Sequence, residues 1–131
     1  MIEQLKTFET NTLAFEIIDS FTETDELLAQ KFFKEKLDAG FKTVNILVKI
    51  DEYKVSKTEA KAFFEDFIFI IRKFKNLGNL AIVSHSKILK ALVPIDNFFF
   101  ERIKNGNKEQ YFDESQLEEA IDFVQQNNSK N

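Results

Sequence analysis

Apolar residues alternate loosely along positions 2–8 and again through TLAFEII at 12–18, with Asn11 supplying a turn between the two runs. Period-two patterning around a polar turn predicts a pair of strands in an antiparallel hairpin. The period then lengthens. Leu28, Ala29, Phe32, Phe33 and Leu37 recur at spacings of three and four, which predicts an amphipathic helix with those residues inward. Thr22 and Thr24 are its candidate N-caps, and Glu23, Asp25 and Glu26 complement the positive end of its dipole. Gly40 ends it at the C′ position.

Residues 43–50, TVNILVKI, form a short β-branched run that suits a largely buried strand. Beyond a loop at 51–55, Ser56 is followed three residues later by Glu59, the spacing of a capping box. The helix it opens carries Ala60, Phe63, Phe64, Phe67, Ile71 and Phe74 in one broad stripe and stops near 76–78. LAIV at 80–83 predicts a very short strand. Ser86 then caps a helix through Ile88, Leu89, Leu92 and Val93, which Pro94 breaks or kinks. Residues 95–103 resume as a short helix, and 109–112 form a last edge strand. Asp113 or Ser115 caps a terminal helix with Leu117, Ala120, Ile121 and Val124 inward. The order β-β-α-β-α-β-α-β-α predicts an α/β fold, a mainly parallel sheet of four or five strands with the first antiparallel. No repeat or linker interrupts it, so residues 1–126 are expected to form one domain, with 127–131 a disordered tail.

Composition narrows the chemistry. The chain has 131 residues, no Cys and one His, which removes disulfides, thiol catalysis, Cys-based metal sites and multi-His metal sites. A net charge of −4 lacks the basic excess that phosphate contacts demand of a nucleic-acid binder. The N-terminal stretch has neither a basic start nor an apolar run of signal-peptide length, and no run approaches a membrane span. The expected compartment is the cytoplasm, with peripheral membrane contact left open. No Gly-rich phosphate loop, nucleophile elbow or metal set is present, so neither a catalytic reaction nor a cofactor is expected.

Four stretches, TVNILVKIDEY at 43–53, FFEDFIFI at 63–70, GNLAIVSHSK at 78–87 and YFDESQLEEAIDFV at 111–124, together with this element order, resemble the SpoIIAA-like proteins of the STAS superfamily, which are often grouped with SEC14-type lipid-transfer modules. The resemblance implies a small cytosolic binding module without a catalytic reaction, for which membrane association and an apolar or lipid-like ligand have been suggested. In the regulatory STAS branch a Ser at the start of the helix after the third strand is phosphorylated. Ser56 lies near that place, making it the candidate phosphosite. This chain reads Val55-Ser56-Lys57-Thr58 there, a departure from the Ser-Gly type of that branch.

Ligands of open α/β sheets bind outside the carboxyl ends of the strands. That edge should gather Ser20 and Phe21, then Asp51, Lys54, Ser56 and Lys57, then Ser84, His85 and Lys87. Lysines at two helix starts oppose the dipole by up to about 1 kcal/mol each. Either they serve an anionic head group or membrane surface, or they are solvated charges partly neutralised by Asp51, Glu52 and Glu59. His85 reads as a general base or pH switch, or as a loop imidazole bonded to nearby backbone.

The sixteen Phe sharpen two further surfaces. On a helical wheel Phe69 points away from the stripe of Phe63, Phe64, Phe67, Ile71 and Phe74, which calls for a neighbouring helix or a partner subunit, a homodimer in the simplest case. Leu92, Val93, Ile95, Phe98, Phe99 and Phe100 straddle Pro94 and form a lid over an apolar pocket, a wedge into a lipid interface, or a pair of core-capping helices. Two functions follow. One is a non-catalytic module for an apolar or amphipathic, anionic-headed, lipid-like ligand. The other is a STAS-type regulatory protein–protein interaction module switched at Ser56.

Overall fold

A computed structural model describes residues 1–18, 22–50, 74, 76–85 and 109–125. These build one five-stranded sheet in the order β1 (Ile2–Thr7), β2 (Thr12–Ile17), β3 (Val44–Ile50), β4 (Leu77–Ser84) and β5 (Glu109–Asp113). β1 pairs antiparallel with β2, and every later neighbour is parallel. The expected fold class is therefore the observed one. Strands β3 and β4 are buried almost throughout, which is why their sequences run apolar instead of alternating.

Two apolar layers flank the sheet. On one face Leu13, Phe15, Ile46, Val48, Leu80 and Ile82 pack with Ala29 and Phe33 of α1 (Glu23–Asp38). On the other, Ala14, Leu47, Ala81 and Val83 meet Ala120, Phe123 and Val124 of the terminal helix α2 (Leu117–Val124). Alternate residues of one strand thus feed opposite cores, as the pleat requires.

The caps explain where α1 starts. Thr22, not Thr24, is the N-cap: its hydroxyl oxygen accepts from the Asp25 N–H at 3.3 Å, while the Asp25 carboxylate accepts from the Thr22 N–H at 2.9 Å. Asp25 is more than a dipole complement, because it also accepts from the Ile2 N–H at 3.1 Å and so ties helix to edge strand. Burial pushes its carboxyl pKa up, but the hydrogen bonds from Thr22 and the nearby Met1 ammonium outweigh this and hold it below its ordinary 3.8. A carboxylate depressed in the folded state stabilises above its unfolded pKa and loses that contribution as pH falls through the folded value. The unfolding midpoint should therefore drop below about pH 4. Asp25→Asn should flatten that part of the profile in thermal denaturation across pH; an unchanged slope would contradict the assignment.

Two expectations need correction. Leu28 does not face the core; it is 36% exposed, because the buried arc of α1 is centred on Ala29 and Phe33. β4 is not a four-residue strand, and Leu77 and Gly78 do not end a helix: both lie within β4, and the chain turns just before them at Asn76, whose φ of 74° is left-handed. In the terminal helix Ala120 and Val124 are buried and Leu117 and Ile121 pack against them half-buried, as expected, and Phe123 joins this core. A 3-10 turn at Glu114–Gln116, capped by Asp113, leads into it.

Candidate functional site

The carboxyl edge is where the parallel strands β2 to β5 end. Its described residues come from four chain segments. Ser84 closes β4 directly beside Asp113 of β5, and His85 follows, half-buried. Ser84 is 1% exposed, and its hydroxyl has no hydrogen-bond partner among the described residues. Asp113 is committed to capping: Oδ2 accepts from the Ser115 N–H at 2.9 Å and from its hydroxyl at 2.6 Å.

Reasoning from motifs missed two charged residues at this edge. Glu16 and Lys49 sit next to last in β2 and β3, directly opposite in register, and pair at 3.3 Å. They share the face of Ala14 and Leu47, two residues earlier in each strand. The signal was available, since each is a lone charge within an apolar run. Half-buried and mutually neutralised, the pair marks the point where the apolar sheet face gives way to a polar rim.

At the amino edge, buried polar side chains fill the space between β2, β3, β4 and the end of α2. Asn11, Thr12, Asn45 and Asn79 are all buried there. Asn45 donates from its amide nitrogen to the Val124 carbonyl, and its Oδ1 accepts from the Asn79 N–H at 2.7 Å. Asn11 donates to the Thr43 carbonyl at 2.8 Å, and the Thr12 hydroxyl reaches the Val124 carbonyl at 3.5 Å. One buried amide therefore caps the end of α2 and ties β3 to β4. Asn11, Thr12 and Asn45 thus each make a structural hydrogen bond from a buried side chain.

No group of three or more His, Asp or Glu that would hold a metal occurs among the described residues. No helix there is long and apolar enough to cross a membrane.

Residues 12–125 match the sequence profile of the SpoIIAA-like family. The matched span runs from the start of β2 through the end of α2, taking in all four parallel strands. The chain belongs to the SpoIIAA-like family. No characterised protein and no solved structure gives a match. As a SpoIIAA-like chain it is a STAS-type module, and the first strand, β1, lies outside the matched span.

Of the edge residues read from the sequence, Ser84 and His85 stand at the carboxyl edge of this SpoIIAA-like sheet. Ser20, Phe21, Asp51, Lys54, Ser56, Lys57 and Lys87 lie outside the described residues. So do Phe69 and the segment with Leu92, Val93, Ile95, Phe98, Phe99 and Phe100.

Proposed function

We propose that this protein is a non-catalytic, regulatory STAS-type module that binds a protein partner at the carboxyl edge of its sheet. The observation that carries the reading is the family match over the entire parallel sheet and its terminal helix. The chemistry of the described edge residues supports it. Glu16 is paired with Lys49, and Asp113 is spent on a cap, so these carboxylates are not positioned as a general acid and base around a common cavity. Ser56, followed in sequence by Lys57 and, three residues on, by Glu59, is the residue through which such a module would be switched. Phosphorylation there adds about −1.5 to −2 charges at pH 7.

The test uses the full chain as bait in extract from its own cells, with Lys57→Glu/Lys87→Glu and Ser56→Asp as comparisons. A protein retained by the wild type should be lost from the charge-reversed bait and weakened by Ser56→Asp. In parallel, the chain should not float with vesicles of phosphatidylglycerol and phosphatidylcholine. Flotation that Lys57→Glu/Lys87→Glu abolishes, or a lipid co-purifying in native mass spectrometry, would replace this reading with the lipid-like ligand.

A further inference from the structure

Between the β1–β2 hairpin and the C-terminal half of α1 lies a half-open cleft of about 310 Å³. It sits at the amino edge, away from the surface proposed above, and does not depend on that reading. Its notable group is Lys36, which reaches back from the last turn of α1. The ammonium donates to the Phe8 carbonyl at 2.6 Å and to the Thr10 carbonyl at 2.5 Å, and lies 6.0 Å from the centre of the Phe41 ring. An ammonium has three N–H donors and no acceptor. Among the described residues the third has no acceptor, and no carboxylate lies within ion-pair distance of Lys36. Burial pushes the pKa of this amine down, the mark of a cation that has lost water without gaining an anion.

The lining selects what would supply the anion. Phe8, Phe32 and Phe41 give the cleft an apolar, aromatic character. Lys6, whose ammonium lies 5.5 Å from the Phe8 ring centre, adds a second cation, while Glu9 and Glu35 add two negative charges. Two cations against two carboxylates leave no net charge to hold a phosphate or a dicarboxylate. A single negative charge meets Lys36 without facing that repulsion. The volume is near the lower end of the roughly 300–1,000 Å³ of small-molecule sites, enough for one ring or a branched chain.

We propose that this cleft binds a small monocarboxylate with an apolar body, its carboxylate on the third N–H of Lys36 and its body against Phe8, Phe32 and Phe41. The test is amide chemical-shift titration of the labelled full chain with four probes: benzoate, 3-methylbutanoate, the neutral isostere benzamide and the dianion terephthalate. Benzoate or 3-methylbutanoate should give saturable shifts at Thr7, Phe8, Ala39 and Phe41, with a Kd in the millimolar range or tighter. Benzamide and terephthalate should bind at least about tenfold more weakly, the loss of one charge-assisted hydrogen bond or the gain of one repulsion. Lys36→Met should abolish the shifts. Because Lys36 also holds the hairpin, Ala39→Phe serves as a second variant that fills the cleft mouth and leaves the ammonium in place; it should abolish them equally. Non-saturable shifts, benzamide binding as well as benzoate, or retention of binding in Ala39→Phe would each overturn the proposal.

Discussion

Asn45→Ala should lower the stability of the protein by about 2–5 kcal/mol, because it removes one side chain that answers two buried backbone groups at once. The side chain is fully buried in β3 and answers both the Val124 carbonyl at the end of α2 and the Asn79 N–H in β4. Neither group has water as a substitute at that depth; the Asn79 N–H loses this acceptor, and the Val124 carbonyl keeps only the long contact from the Thr12 hydroxyl. The residue is also where helix end and sheet meet, so the loss should loosen the docking of α2. Equilibrium denaturation should show the drop, and hydrogen exchange should show faster amide exchange in α2 than in α1. A change under about 0.5 kcal/mol, the size of an ordinary surface substitution, would contradict the clamp.

Gly78→Ala should be damaging for a reason that lies on the neighbouring strand. A Cβ at position 78 would stand 2.1 Å from Asn45 Oδ1 and 3.3 Å from its Cγ. That oxygen cannot step aside, because the amide is held at both ends. Forcing a methyl into such a site costs about 1–3 kcal/mol, with more if the clamp's hydrogen bonds break. The two substitutions are therefore coupled. In an Asn45→Ala background the obstructing atom is gone, so Gly78→Ala should cost much less than it does alone, and a double-mutant cycle should return a clear interaction energy. Strict additivity would mean that Gly78 is required for something other than the Asn45 side chain.

This pair shows what could be read from the sequence and what could not. Local signals were legible: the Thr22 cap, the period of α1, the β-branched run of β3 and the Gly40 stop, whose φ is 106°. Each depends on neighbours within a few residues. The true length of β4 was not, because Gly78 and Asn79 resemble a chain break when viewed locally. Their role is set across the sheet by a side chain more than thirty positions away. Asn45 itself was a visible oddity, a lone amide inside TVNILVKI, but only the register with β4 and the position of Val124 say what it does.

The candidate site divides in the same way. A general rule about parallel sheets chose the edge, and the register of β4 with β5 brings Ser84 and Asp113 together there. The Glu16–Lys49 pair needed β2 and β3 in register before two isolated charges became one feature. Lys36 offered no sequence signal at all. It reads as an ordinary basic residue near a helix C-terminus until the hairpin carbonyls of Phe8 and Thr10 are seen around it.

The claim that the carboxyl edge is the working surface is tested most directly by asking where a partner touches the chain. A photo-crosslinking p-benzoylphenylalanine placed at Glu114, exposed at the carboxyl edge, is compared with one at Lys42, exposed at the amino edge just before β3. The expected result is one protein cross-linked from position 114 and absent from position 42, with the adduct lost on Lys57→Glu/Lys87→Glu. The same protein cross-linked from position 42 and not from 114 would contradict the account, as would an adduct of lipid in its place.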